Sequence, residues 1–342
     1  MKKILQSTLA AVAGLSLLTA CAGGGGTAEP TAAAPSFDAE TQALITEAKS
    51  AGPVTFYSMI DEASLRVVSE DFTARYGVQV EPVRLVTGDL IQRYSAEAAS
   101  GKAAADIVLM TDSPFFDDAL ANGWITPLQD AGVPGASGFP EELYTHDGAT
   151  PIVSLIPSEV VLNSDAITAA PADWKIYADP AYKGKIMLAE PDSSPANIAF
   201  WSLMKEKYGD GFLQEIAANE PKWMGGAVPL TQGIAAGEAD LGFPGVAAIV
   251  NNLQKSGAPV QLVGLAPTTG PEAAVALSKS SANPAGAKLL ASYLMSADGN
   301  KLLNDDTAAI SPLDAAASER FTRVSDVQLA DVAEIRSLLG LN

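Results

Sequence analysis

Hydroxyl-bearing residues recur in this 342-residue chain directly after short apolar runs. Side chains of this type accept hydrogen bonds from the first N–H groups of a helix, and the same N–H groups favour a bound anion. The pattern therefore predicts helix starts that could together bind a carboxylate, a phosphonate or a phosphate ester. The predicted contact residues of this kind are Ser58, Thr87, Thr111, Ser193, Ser194 and Thr231.

Each of these hydroxyls, taken alone, is equally typical of a simple helix cap. Ser194 followed by Pro195 is a common sequence for a helix start and needs no ligand to explain it. One helix start contributes about 0.3–1 kcal/mol to anion binding, whereas micromolar affinity requires about 8 kcal/mol. A site therefore requires several helix starts that converge where water is excluded.

Four other side chains could complete such a site. Arg84 ends the second predicted strand and could bind an anion through two parallel hydrogen bonds, although a solvated arginine is an equal alternative. Asn197 lies in the first turn of the helix that Ser194 begins. Tyr57 and Phe243 could form walls for an organic group, but aromatic residues in strands are more often packed in a core.

The elements that must position these residues alternate between strand and helix. Residues 54–58, 78–85 and 106–110 read as strands with helical patterns between them, and the pattern resumes at residues 185–188, 239–243 and 259–263. Such alternation is typical of α/β folds with parallel sheets covered by helices. We therefore expect an α/β fold of two doubly wound lobes, with hinge strands and a ligand cleft between them.

The composition limits the possible partners. There are 40 acidic residues against 21 Lys and Arg, which gives a formal net charge of −19. Such a charge disfavours nucleic acid and anionic membrane surfaces as partners. Any recognition of an anion must then be local, because the long-range field repels it. No sequence motif of a common enzyme class is present, so we expect no catalysis and no cofactor.

The N-terminus has the sequence of an export signal. Lys2 and Lys3 precede an apolar stretch that ends in Leu18-Thr19-Ala20, a small-residue cleavage site. Cys21, the single cysteine, follows that site and resembles the lipidated cysteine of bacterial lipoproteins. We expect a signal peptide over residues 1–20 and a lipidated Cys21 with a flexible tether over residues 21–37. The protein would then be extracytoplasmic and lipid-anchored to the cell membrane.

Several stretches together resemble one family. They include Val54-Thr55-Phe56-Tyr57-Ser58, Asp179-Pro180-Ala181-Tyr182-Lys183-Gly184-Lys185, Pro191-Asp192-Ser193-Ser194 and Gly237-Glu238-Ala239-Asp240. The chain is similar in these places to the extracytoplasmic solute-binding proteins of ABC importers, and specifically to the periplasmic ferric-ion-binding family. The resemblance implies the type II periplasmic-binding fold. We expect lobe 1 over residues 38–158 plus 264–342, and lobe 2 over residues 159–263.

The resemblance also implies a function, with one departure. The iron-binding members use two adjacent tyrosines, whereas the matching region here reads Phe243-Pro244-Gly245-Val246-Ala247-Ala248. The Ser193-Ser194 segment, which holds an anion in those relatives, is kept. We therefore expect the ligand to be a small organic anion that binds directly, and the partners to be an ABC permease and its ATPase. A monomer is expected.

Two alternatives remain open at this stage. A ferric ion or another metal could bind without the tyrosine pair, since Asp61 and Asp112 match positions from which some relatives supply ligands. Two carboxylates alone seldom complete a transition-metal site, and the single histidine, His146, reads as part of a surface turn. A cationic solute such as a polyamine or thiamine would suit the net charge, with Asp61, Asp112 or Glu190 as counter-ions.

Overall fold

The computed structural model describes residues 36–102 and 104–341. The predicted signal peptide and Cys21 lie outside this part of the chain. A compact unit begins at Phe37. No helix among the described residues is long and apolar enough to cross a membrane.

The first sheet has seven strands in the order β2-β1-β3-β12-β6-β5, with β4 beside β12. Strands β1, β2 and β3 run parallel, whereas β12 runs antiparallel to both of its long neighbours. The N-terminal elements of this first lobe are α1 (Ala39–Ala51), β1 (Val54–Ser58), α2 (Glu62–Tyr76), β2 (Val80–Arg84), α3 (Thr87–Ala99), β3 (Ile107–Thr111), α4 (Phe115–Ala121), β4 (Ile125–Thr126), β5 (Tyr144–Thr145) and β6 (Thr150–Leu155).

The second sheet has five strands in the order β11-β7-β10-β8-β9. Strands β8, β9 and β10 run parallel, and β7 runs antiparallel to β10 and β11. The elements of this lobe are β7 (Glu159–Asn163), β8 (Ile186–Ala189), α5 (Pro195–Tyr208), α6 (Asp210–Ala218), β9 (Lys222–Met224), α7 (Ala227–Ala235), β10 (Leu241–Gly245), α8 (Ala247–Lys255) and β11 (Val260–Val263).

The chain then returns to the first sheet before it ends on the second lobe. This last part contains β12 (Glu272–Ser278), α9 (Pro284–Met295), α10 (Ala297–Thr307), α11 (Ala315–Ser318) and α12 (Val332–Leu338). Helix α12 buries Ile335 against α5 and α6, so it belongs to the second lobe. The division predicted from the sequence had placed these C-terminal residues with lobe 1. An apolar face on a seven-residue helix does not reveal which of two cores it covers.

Both sheets have helices packed on both faces. In β1, Phe56 belongs to one core of the first sheet and Tyr57 to the other, because successive side chains of a strand point to opposite faces. In the second sheet, Leu188 and its neighbour Met187 divide in the same way. The predicted fold class, α/β with two doubly wound lobes, is confirmed.

Three segments connect the lobes. Residues 156–158 and 264–271 lie side by side, where the Ser158 N–H donates to the Thr269 carbonyl at 2.9 Å. The third segment is the C-terminal strap, which we define as residues 319–331. It pairs with the second segment through the Thr268 N–H, which donates to the Arg320 carbonyl at 2.9 Å. The first two segments overlap the hinges that the sequence indicates near residues 157–163 and 260–267, whereas the strap was not anticipated.

Candidate functional site

Two cavities lie between the lobes, at the carboxyl ends of the parallel strands. The first cavity has a volume of about 270 Å³. The first lobe contributes Met59, Ile60, Asp61, Arg84, Ser154, Ala273 and residues 307–309, the second contributes residues 246–249 and Asn252, and the hinge adds Ile156 and Pro157.

The second cavity has a volume of about 300 Å³, and a larger share of its lining residues is polar or charged than in the first cavity. Its walls are Thr111, Asp112 and Thr145 from the first lobe, residues 194–196 from the second, residues 270–272, and residues 323–325 of the C-terminal strap.

The two cavities adjoin each other and together form the cleft. Ala273 lines the first cavity and is the ladder partner of Thr111, which lines the second. The Thr111 hydroxyl donates to the Met59 sulfur at 3.1 Å, and it lies 3.2 Å from the Thr87 hydroxyl. Since partner residues of adjacent strands lie about 5 Å apart, one small molecule could reach both cavities.

Positive charge faces the first cavity from both lobes. Arg84, from the first lobe, is exposed and forms no ion pair with the described residues. Helix α8 begins on the opposite side, and no side chain caps its N-terminus. Its first N–H groups therefore point a partial positive charge at the cavity. Both features favour an anion.

The one carboxylate in the first cavity already has partners. Asp61 accepts hydrogen bonds from the N–H groups of Ala63 and Ser64 at the start of α2, and from the Ser64 hydroxyl at 2.6 Å. A carboxylate bound to a helix start is largely compensated by the helix dipole. Asp61 therefore opposes a bound anion less than a free carboxylate would.

The Ser193-Ser194 segment contributes one side chain to the cleft. Ser194 caps α5 by accepting from the Asn197 N–H at 3.2 Å, and it lines the second cavity. Ser193 donates to the Glu190 carbonyl at 2.7 Å, and the buried Asn197 amide donates to Ser193 at 2.9 Å. Ser193 and Asn197 thus support the loop and do not line either cavity.

A largely buried ion pair lines the second cavity. The Arg323 Nε donates to Glu272 at 2.7 Å, and the two side chains are 16% and 7% exposed. Glu272 also accepts from the Val324 N–H at 3.1 Å. Burial raises the pKa of Glu272, and the nearby charge of Asp112 acts in the same direction, while Arg323 opposes both. Arg323 thus compensates the carboxylate only in part, since the pKa of Glu272 stays above its usual value.

His146 is more than part of a surface turn. Its ring bridges two carboxylates, Asp112 at 2.9 Å and Asp117 at 2.6 Å, and its side chain is 11% exposed. The hydrogen bond to Asp112, with the second one to Asp117, raises the pKa of His146 to about 9 against the cost of burial. An imidazolium at this place offsets the charge of Asp112 at the cavity wall. The turn itself was predicted, but its role was not.

We expect the stability contributed by His146 to depend on pH. The pKa is about 9 in the folded protein and about 6.5 in an unfolded chain. A histidine whose pKa is raised by folding contributes its full stabilisation when the pH is below the pKa of the unfolded chain. This stabilisation declines as the pH rises and is lost once the pH exceeds the pKa of the folded protein. His146→Gln should therefore lower the free energy of unfolding more at about pH 6 than at about pH 10. An equal loss at both pH values in urea titrations would contradict the charged bridge.

Four predicted contact residues lie away from both cavities. Tyr57, Ser58, Thr231 and Phe243 are each at most 1% exposed. The Tyr57 hydroxyl donates to Glu97 at 3.1 Å, and the Thr231 hydroxyl donates to the Ala227 carbonyl of its own helix. Phe243 stacks on Phe200 with 3.8 Å between the ring centroids. Because helices cover both faces of each sheet, the strand side chains of Tyr57 and Phe243 point into cores, and Thr231 is buried within helix α7. The predicted aromatic walls of the cleft are thus corrected.

The structure brings five of the predicted residues together. Arg84 lines the first cavity, Thr111, Asp112 and Ser194 line the second, and Thr87 adjoins Thr111. Sequence reasoning missed Thr145, Glu272, Arg323 and the uncapped start of α8. The last could have been found, since Val246-Ala247-Ala248 follows a strand in the manner of the other helix starts but carries no hydroxyl.

A metal site is not supported by the geometry. Among residues 36–102 and 104–341, no three His, Cys, Asp or Glu side chains are placed so that they could hold a metal ion. Asp61 and Asp112, the two carboxylates considered for that role, line different cavities.

The fold is shared with solved solute-binding proteins. Iron-bound HitA from Pseudomonas aeruginosa matches with a TM-score of 0.61 and 18% identity, over 84% of this chain and 98% of that chain. A substrate-binding protein of an ABC transporter from Agrobacterium tumefaciens matches with a TM-score of 0.63 and 16% identity, over 84% and 92%. AfuA from Actinobacillus pleuropneumoniae, with fructose 6-phosphate bound, matches with a TM-score of 0.57 and 18% identity, over 84% of this chain and 97% of that chain.

Sequence similarity agrees with the fold. A protein of Haemophilus influenzae, described as uncharacterized, is 30% identical over 141 residues, which span 40% of this chain and 40% of that relative. The family model for bacterial extracellular solute-binding proteins matches residues 54–306, most of the chain. The chain therefore belongs to the bacterial extracellular solute-binding protein family, with the two-lobed type II fold of the periplasmic ferric-ion-binding proteins.

Proposed function

We propose that the protein captures a small organic anion in the cleft and delivers it to an ABC import permease. The observation that carries this proposal is the first cavity, where the Arg84 guanidinium of one lobe faces the start of α8 in the other, and where neither has a side-chain partner among the described residues. A guanidinium and a helix start both bind carboxylate, phosphonate and phosphate groups well. The apolar side chains of Met59, Ile156 and Ile249 can cover the organic part.

Capture follows from the position of these groups on different lobes. An anion bound by Arg84 alone would stay largely solvated, whereas an anion bound from both sides draws the lobes together and excludes water. Exclusion of water strengthens each charge-assisted hydrogen bond. The closed form then presents the shape that the permease recognises, and the energy for transport comes from the ATPase partner.

The carboxylates of the cleft oppose a bound anion less than the net charge of the protein suggests, because each has a partner that offsets its charge. Asp61 is bound to the start of α2, Asp112 to His146, and Glu272 to Arg323. A polyamine or a thiamine-like base would therefore meet carboxylates whose charge is already partly offset by these partners. The Arg84 guanidinium, in contrast, has no ion-pair partner among the described residues and can bind a ligand.

A thermal unfolding screen tests the proposal. The mature protein would be mixed with acetate, methylphosphonate, gluconate, fructose 6-phosphate, spermidine, thiamine and ferric citrate. A ligand at 100 times its dissociation constant should raise the free energy of unfolding by about 2.7 kcal/mol. Stabilisation by spermidine or thiamine alone would replace the anion by a cation, and stabilisation by ferric citrate alone would favour the metal. Recovery of the ligand unchanged after incubation would support capture without catalysis.

We also propose that Cys21 anchors the protein to the membrane through lipid chains. The sequence before it has the features of a cleaved export signal. Cys21→Ser should release the protein from the membrane fraction into the soluble extracytoplasmic fraction, because stable attachment depends on the acyl chains. Mass spectrometry of the wild-type N-terminus should show the acyl chains on Cys21. Membrane association of the variant equal to that of the wild type would contradict the anchor.

A further inference from the structure

The C-terminal strap forms one wall of the second cavity. It leaves the first lobe after α11, pairs with the hinge at Thr268, and reaches the second lobe where the Ala330 N–H donates to the Ser202 hydroxyl at 3.0 Å. On the way it places Arg323, Val324 and Ser325 on the cavity. The match to the family model ends at residue 306, before this wall.

Arg323 is held in a fixed orientation at this wall. Its Nε donates to Glu272, its Nη1 donates to the Glu142 carbonyl, and 16% of its side chain is exposed. A guanidinium has five N–H donors in a rigid plane. Two of its three nitrogens are thus engaged by the protein, and the remaining donors can serve a ligand in the cavity.

The rest of the second cavity both donates and accepts hydrogen bonds. The Thr111, Thr145 and Ser194 hydroxyls line it, and the carboxylates of Asp112 and Glu272 supply further acceptors. Each carboxylate already has a cationic partner, so neither demands a cation from the ligand. A hydroxyl group of a ligand fits such a wall well, because it can donate to a carboxylate and accept from a guanidinium at once.

We propose that Arg323 is a ligand-binding residue, and that the ligand is a hydroxylated organic anion whose charged group occupies the first cavity and whose hydroxyl groups occupy the second. This inference rests on the proposed function, since it places the anionic group at Arg84. Met59 of the first cavity is in contact with Thr111 of the second, so the two cavities adjoin and one molecule can span them. Specificity for the hydroxylated part is set by the strap.

Matched probes test the proposal by isothermal titration of the mature protein. Acetate and methylphosphonate carry only a charged group, whereas gluconate and fructose 6-phosphate add hydroxyl groups to a carboxylate and a phosphate ester. The hydroxylated member of at least one pair should bind about tenfold or more tightly than its partner, as one charge-assisted hydrogen bond allows. Equal affinity within both pairs would overturn the inference.

Variants identify the residue responsible. Because Arg323→Gln alone leaves Glu272 buried without a partner, the test uses the double variant Glu272→Gln with Arg323→Gln, in which the two amides can bond to each other. This variant should lose the advantage of the hydroxylated probe and keep the affinity for the charged-group probe. Glu159→Gln with Arg320→Gln is the matched control, since Arg320 lies in the same strap and pairs with Glu159 of β7, and neither residue lines a cavity. It should keep the advantage.

The outcomes separate the two proposals. Binding of charged-group probes with no effect of the double variant on the hydroxylated probes would overturn the role of Arg323 and leave the proposed function intact. A double variant that lost both kinds of probe equally would also overturn it, because the effect would then be on the fold of the cleft. Failure of every anionic probe to bind would overturn the proposed function and this inference with it.

Discussion

Phe243→Ala is expected to lower the free energy of unfolding by about 3–5 kcal/mol, the usual cost of removing a buried phenylalanine. Phe243 is 1% exposed, and its ring stacks on Phe200 with 3.8 Å between the ring centroids. Trp174 meets the same ring in a T-shaped arrangement, with 5.5 Å between the ring centroids. Removal of the ring leaves a void among aromatic side chains that cannot easily close. Urea titration of the variant beside the wild type measures the loss.

The same variant decides whether Phe243 is a wall of the cleft. A residue enclosed in the core of the second lobe should not touch the ligand, so the affinity of the folded variant for an anionic probe should change by less than about twofold. Phe243→Leu is the conservative control, which should recover part of the stability. A large loss of affinity with little loss of stability would instead support the aromatic wall that the sequence suggested.

The sequence predicted the fold because apolar runs and helix caps report local structure. Ser194 caps the helix start that the sequence indicated at its position. Strand β12 was missed, because its short run is rich in alanine, and periodicity alone does not distinguish a strand from a helix in such a run. The C-terminal strap has no periodic pattern and therefore gave no signal.

The site was predicted in part for the same reason. Ser194 and Arg84 stand at the ends of local elements, where position along the chain implies position in the cleft. Arg323 and Glu272 are 51 residues apart, and His146 lies 34 residues from Asp112, so these pairs depend on how the chain crosses between elements. Such contacts have no signature in a single sequence.

The overall charge and the local charges of the cleft act on different steps of binding. A net charge of −19 repels an anion at long range and should slow its association. Screening limits this effect to about 8 Å at physiological ionic strength. Once the anion is within the cleft, the free guanidinium and the helix start determine how strongly it is held. Affinity should therefore depend far more on Arg84 than on any other exposed arginine.

Arg84→Gln is expected to lower the affinity for methylphosphonate or acetate by about 10- to 100-fold, because charge-assisted hydrogen bonds contribute about 1.5–3 kcal/mol. The free energy of unfolding should change little, since Arg84 is exposed and pairs with no described carboxylate. Arg84→Lys should restore part of the affinity, as an ammonium keeps the charge but loses the planar pair of donors. Isothermal titration at constant ionic strength gives the three dissociation constants.

Arg93→Gln separates a local contact from a general loss of positive charge. Arg93 is also partly exposed on the first lobe, but it pairs with Glu97 at 2.8 Å and lies over the ring of Tyr57, away from both cavities. Its replacement removes the same charge and should change the affinity by less than about twofold. If Arg84→Gln and Arg93→Gln weakened binding equally, the long-range field and not the cleft would account for anion affinity, and the anion site at Arg84 would have to be abandoned.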